Sequence, residues 1–295
     1  MNPALKVYSV SRARHTVPNW HAHRHVHQAV EGLPLMTEVS TLLLRHRSIR
    51  SYKPDPIPAA LVEQVLGDAI AGSSSSGNLN AVSMILTRDS ERKSRLYDLH
   101  FEQDMILEAP LLVTFCADWF RTREWLKRRG ARDNFGNLIG WHVAAFDAII
   151  LAQSVCLGFE AHSLGICYMG TTLHSMGEIA DFLELPDTCL PVTTIVVGYP
   201  AEDPPKRDRL PLRAFLHDET YHRASEAELE AIYEQREVKG WARYMAHPEL
   251  KAKVEELGVT SLAQFYTSEA KYDPDVFRED SEKLRRVLER KHFLP

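Results

Sequence analysis

Residues 46–50 read His46-Arg47-Ser48-Ile49-Arg50, three basic side chains around a serine and an isoleucine. They follow an apolar helical turn, Leu42-Leu43-Leu44, and precede Pro54, Pro56 and Pro58, which forbid a continuing helix. Guanidinium forks match phosphate oxygens two at a time, so a cationic cluster at a helix-to-loop junction suits a bound phosphate. A solvated basic turn has the same composition. Lys206, Arg207 and Arg209 form a second cluster, in a loop straight after an apolar strand, where ligand contacts commonly sit. Joined with Arg47 and Arg50 they could enclose one phosphate from two sides. Left apart, they are a charged linker.

Two further segments carry binding chemistry. The run Ser73-Ser74-Ser75-Ser76 after a helix offers hydroxyls and free backbone N–H groups to a ligand, or is a polar surface linker. In Leu164-Gly165-Ile166-Cys167-Tyr168-Met169-Gly170, glycines flank a short apolar strand and permit close approach of a flat ligand, or serve as a helix cap and a turn. Nucleophilic and metal chemistry is poorly supported. No GxSxG or HExxH occurs, and His142 and Asp147 on an apolar helix read as satisfied interior groups. Cys116, Cys156, Cys167 and Cys189 form no CxxC pair and sit in apolar runs, as buried thiols of a reducing compartment.

The elements that must position these residues alternate from Met36 onward. Pro58 opens a helix with Leu61, Val62, Val65, Leu66, Ala69 and Ile70 at helical spacing. Residues 81–87 read as a strand and 89–99 as a short helix capped by Asp89. Residues 110–117 and 192–197 are continuous apolar strands, buried on both faces. Residues 139–164 form a long apolar core helix, 166–169 a short strand and 175–185 a helix. Residues 119–137, rich in arginine, read as a basic, irregular excursion; residues 212–295 read as helical and polar.

The chain has 295 residues, 44% apolar and 25% charged, with a net charge of −5. That composition supports a soluble core large enough to enclose a cofactor and gives no bulk attraction to nucleic acid or anionic membrane. The first 35 residues carry +3 and five of the 14 histidines. There His21, His23, His25 and His27 alternate and could ligate a metal, but the segment reads as a disordered leader. With no secretory pattern at the N-terminus and no membrane span, a cytoplasmic location is the expectation.

The HRSIR segment, the serine loop with Leu79-Asn80, the block 147–170 and the block 190–211 resemble, in this order, the nitroreductase family of FMN-dependent oxidoreductases. The match is to its oxygen-insensitive, NADPH-preferring group A, which includes flavin reductases. The resemblance implies an α+β fold, a mixed sheet surrounded by helices, in an intertwined homodimer with FMN at the interface. The leader 1–35 lies outside the resemblance, which implies an FMN-binding core 36–211 and a helical extension 212–295 completing domain and dimer. FMN contacts would come from His46, Arg47, Ser48, Ile49 and Arg50, with Arg50 at the pyrimidine edge, and from Ser74 and Gln103. Tyr168, Met169, Gly170 and Thr171 would lie beside the ring; Arg207 and Arg209 would hold the phosphate. Arg243 falls where the group binds the NADPH 2′-phosphate. Pro248 replaces the second arginine of that pair, which leaves NADPH and NADH both open as reductant. Ser281 stands where the group places a substrate-side arginine, with Arg278 and Lys283 nearby.

The activity so implied is two-electron, ping-pong hydride transfer from NAD(P)H through FMN to a nitroaromatic, quinone or flavin. It needs no catalytic acid or base from the chain. Two alternatives stay open: the same fold and cofactor with other chemistry (dehalogenation, azoline oxidation, flavin breakdown), or a non-catalytic flavin- or metal-binding protein.

Overall fold

A computed structural model describes residues 36–295; the leader, with its alternating histidines, lies outside the described residues. Four strands, β1 (Val82–Thr87), β2 (Leu111–Asp118), β3 (Gly165–Met169) and β4 (Cys189–Gly198), form one sheet in the order β1-β2-β4-β3. Every pairing in it is antiparallel. The mixed character expected of the sheet is carried by one isolated parallel bridge, Ser48 with Ile166.

β2 is buried along its whole length, and its alternate residues feed two different cores. Leu111, Val113 and Phe115 join Ile195 and Val197 of β4 beneath α2 (Ala59–Gly72) and α6 (Leu138–Ala161). Leu112 and Cys116 face the other way, onto α3 (Ser90–Leu99), α4 (Met105–Glu108) and α7 (Met176–Phe182). The sheet is therefore a central layer between two layers of helices. At its middle, Thr114 and Thr194 face each other and their hydroxyls bond at 3.1 Å, so neither is left unsatisfied.

α6 is 24 residues long and apolar on most sides. Ala144, Ala148, Leu151, Ala152, Val155 and Phe159 pack into the core; Ile139, Phe146, Ile149 and Ile150 are exposed. His142 is exposed too, a correction to the interior place expected from its helix, and its ring bonds only the Leu138 carbonyl four residues back. On α2 the buried stripe is Val62, Val65 and Ala69, while Ile70 is 53% exposed, so the expected apolar face is one residue too wide.

Residues 119–137 are not an irregular excursion. Trp119 is fully buried, stacks on Phe135 at 3.9 Å and donates its indole N–H to the Gly140 carbonyl at 2.8 Å. α5 (Phe120–Arg128) follows it. Two of its arginines are engaged: Arg121 donates to the carbonyls of Asn80 and Val82, and Arg123 pairs with Asp133 at 2.5 Å. The basic composition hid a tryptophan anchor.

The C-terminal part is helical as expected. α8 (Glu226–Met245), α9 (Pro248–Glu256) and α10 (Leu262–Tyr266) share a small core of Val254, Leu262 and Phe265. α11 (Pro274–Arg290) packs on α7.

Candidate cofactor site

The site starts from a pair of glycines. Gly165 of β3 and Gly198 of β4 face each other in register. A Cβ on Gly165 would come within 2.6 Å of Ile49, and one on Gly198 within 2.8 Å of the Tyr52 ring. The slot left by two missing side chains receives Ile49 and Tyr52, both buried. Backbone bonds then tie the segment down: Ile49 N–H to the Ile166 carbonyl at 3.0 Å, Lys53 N–H to the Tyr199 carbonyl at 2.9 Å, and Ala201 N–H to the Ser51 carbonyl at 2.9 Å. Gly165 is thus neither a helix cap nor a place for a ligand ring. It admits the chain's own isoleucine.

This clamp brings α1 (Glu38–Arg45), whose C-cap is His46, beside the loop that leaves β4. Arg47, Arg50, Lys206, Arg207, Arg209 and Arg243 line one cavity of about 440 Å³. The Nε atoms of Arg47 and Arg243 are buried without a partner among the described residues. Partial desolvation, then the guanidiniums of Arg243 and Arg50, push the Arg207 pKa down. Converging like charges with unfilled donors could hold an anion such as a phosphate monoester.

Three carboxylates, which the residue pattern did not single out, hold the cationic loop. Arg47 pairs with Asp203. Glu202 accepts from the backbone N–H of Arg50 and, at 3.1 Å, of Ser51. His46 pairs with Glu160 at 2.6 Å. Their only signal was proximity in sequence (Glu202 and Asp203) to the predicted second cluster.

From Ser48, bridged to Ile166, β3 leads away from the cavity to Tyr168, Met169, Gly170 and Thr171. Ile49 and Met169 are buried in the core, so their backbone, and not their side chains, is what they could turn to a ligand. Tyr168 is half-buried, its hydroxyl 3.5 Å from Gln153. A Cβ on Gly170 would meet no atom within 4 Å, which leaves its surface open. At the far end the Gln103 amide donates to Thr171 Oγ1 at 3.4 Å, so these two predicted residues meet.

Ser74 lies elsewhere. The serine loop is organised by buried Asp147, which accepts from Ser75 Oγ (2.6 Å), Ser76 N–H (3.1 Å) and Ala81 N–H (3.1 Å). Ser74 itself is exposed and lines another cavity, of about 450 Å³, with Asn80, Arg121 and Leu151. Within one chain the structure does not bring Ser74 to the cationic cavity.

A row of rings runs beside the site. Tyr244, next to Arg243, is followed by Tyr266, Tyr272, Phe277, His174 and Phe101, neighbouring centroids being 5.5–6.1 Å apart. His174 caps the 3-10 turn Gly170–Leu173 and pairs with Asp280. Pro248 opens α9, Ser281 and Arg278 are exposed, and Lys283 is bound to Glu178 at 2.7 Å.

Comparison with known proteins places the chain and its fold. The Nitroreductase family pattern matches residues 43–199. An FMN reductase [NAD(P)H] of Bacillus subtilis (strain 168) is 30% identical over 245 residues, 76% of this chain and 98% of that one. A crystal structure from Bacteroides fragilis NCTC 9343 superposes with a TM-score of 0.78 at 35% identity, covering 86% of this chain and all (100%) of the other. NfrA2 of B. megaterium gives a TM-score of 0.70 at 26% identity, covering 88% and 99%. A matched family core, a relative aligned over nearly its full length and a shared fold have one meaning: this chain belongs to the nitroreductase family.

Proposed function

We propose that the protein is an FMN-dependent NAD(P)H oxidoreductase, a flavin reductase that also reduces nitroaromatics and quinones and works as a cytoplasmic homodimer. The cationic cavity carries this reading. Six cations from three parts of the chain, two of them with buried unpartnered Nε atoms, suit the phosphate of a mononucleotide.

Arg47, Arg207 and Arg209 grip that phosphate. Arg50 sets a positive charge where a reduced ring gathers negative charge. Gln103 and Thr171 offer an amide and a hydroxyl at the far end, and the open surface at Gly170 admits a flat ring. Arg243 holds an anionic group of the dinucleotide. When bound, FMN supplies the hydride chemistry; the chain supplies grip, orientation and field. Tyr272 and Phe277, about half-exposed in the row of rings, give aromatic acceptors a stacking surface, with Lys271 Nζ 5.3 Å from the Tyr272 ring.

Two observations support a dimer. Ser74 and the cationic cavity are far enough apart in one chain to line separate cavities, so a site using both takes them from two copies. The exposed Ile139, Phe146, Ile149 and Ile150 on α6 form an apolar face suited to a second copy. In this reading residues 36–211 form the FMN-binding core and 212–295 complete domain and dimer. Four free, buried cysteines suit a reducing cytoplasm.

The purified protein is expected to be yellow, to release FMN identified by mass on denaturation, and to bleach when titrated anaerobically with NADPH or NADH. A folded, colourless protein that takes up no added FMN would sink the proposal.

A further inference from the structure

The chemistry described so far leaves a buried histidine unused. His100, the C-cap of α3, is fully buried. Its Nδ1 lies 2.8 Å from Thr171 Oγ1, and its carbonyl accepts from Gln103 Nε2 at 3.2 Å. The same Gln103 amide reaches Thr171 Oγ1. His100, Thr171 and Gln103 therefore form a closed three-membered network at the end of the site away from the phosphate. The chain leaves His100 through Phe101 and Glu102, both left-handed at φ 57° and 56°, a costly pair for residues with side chains. A firm anchor is needed on the near side of that turn, and His100 supplies it.

The protonation pattern follows from the surroundings. Burial pushes the His100 pKa down to about 4, so the ring is neutral at physiological pH and carries one N–H. Its Nε2 is buried with no partner. A stranded N–H is the rarer defect than an under-used acceptor, so the proton sits on Nδ1 and is donated to Thr171 Oγ1. Thr171 Oγ1 then accepts from both His100 and Gln103. Its two lone pairs are filled, and its own hydrogen is left to donate outward.

We propose that His100 is a positioning residue that, through Thr171 and Gln103, fixes a hydroxyl donor and an amide oxygen toward the flavin ring; this rests on the reading that Thr171 and Gln103 touch FMN. It acts without contact to cofactor or substrate. Loss of its ring frees the Thr171 hydroxyl to turn and leaves the Gln103 amide held by the His100 carbonyl alone.

The test compares His100→Leu, His100→Asn and His100→Gln with Gln103→Ala. The readouts are FMN affinity, from quenching of flavin fluorescence, and the midpoint potential of the bound flavin. Asn places an amide donor near the Nδ1 position, while Gln places it near Nε2. H100L is expected to weaken FMN binding about tenfold, the worth of one misplaced hydrogen bond, and to lower the potential. H100N is expected to restore both, and H100Q to behave as H100L. A folded H100L with wild-type affinity and potential, beside a Q103A that loses affinity, overturns the positioning role alone. A Q103A that changes neither quantity overturns the role together with the site reading beneath it. Should H100L fail to fold, equal behaviour of H100N and H100Q overturns the proposal.

Discussion

Six cations facing one cavity is an arrangement that the protein alone has little reason to keep. Arg207 illustrates it: its side chain is exposed, makes no hydrogen bond among the described residues, and lies in the field of Arg243 and Arg50. What holds the loop are backbone carbonyls and carboxylates, with Lys206 on the Leu44 carbonyl and Arg209 on the Arg207 carbonyl at 3.3 Å. The Arg47–Asp203 pair is well exposed, and exposed pairs contribute about 0–1 kcal/mol. Stability and binding therefore separate at Arg207. Arg207→Ala is expected to leave the melting temperature of the FMN-free protein unchanged or slightly raised, since it relieves repulsion and removes no internal bond. FMN affinity is expected to fall by roughly tenfold or more, because a charge-assisted bond to phosphate contributes about 1.5–3 kcal/mol. Melting curves with and without FMN, beside a binding titration, measure both quantities. A destabilised apo protein with intact affinity would make Arg207 a structural residue instead.

At the scale of elements, the site depends on a slot between two strands more than on any charged residue. Ile49 and Tyr52 fill the gap that Gly165 and Gly198 leave, and that insertion sets where Arg47 and Arg50 stand. Gly165→Val would drive its side chain into Ile49, and overpacking of this kind costs about 1–3 kcal/mol. The variant is expected to unfold at lower denaturant and to bind FMN more weakly, because the cationic segment is lifted from its clamp. Unchanged denaturation midpoint and affinity would show the slot to be slack. The same slot marks what could be read in advance. β2, β4 and α6 were legible from their unbroken apolar runs, and Asp89 and Pro58 marked helix starts. The two basic clusters were visible as clusters, but their meeting was not, since it requires knowing that Gly165 pairs with Gly198. The register of two strands is not written in either strand alone. The segment 119–137 misled because composition weighs six basic residues above Trp119, whereas packing does the reverse. His100 gave no signal, because a histidine at the end of a polar helix does not reveal that the next two residues turn left-handed and bury it.

For the molecule as a whole, the proposed site, if it includes Ser74 together with the cationic cavity, would make assembly a condition of binding. A single chain offers the phosphate end and the Gln103–Thr171 end, with the serine loop in a different cavity. The exposed face of α6 is the surface on which a second copy can close that gap, and it is also where charge can be placed without disturbing the fold. Ile139 is 74% exposed at the second position of the helix, where an acidic residue favours the helix dipole; Phe146 is 59% exposed two turns later. Ile139→Asp with Phe146→Asp is therefore expected to keep helical content while converting a dimer to a monomer in sedimentation velocity. FMN affinity should fall in step with the loss of dimer and recover at protein concentrations that force reassociation, as mass action requires. A monomeric double variant that still binds FMN as tightly as the parent would mean that one copy holds the whole site. The serine loop would then have no part in it, and α6 would present its apolar face to something other than this chain.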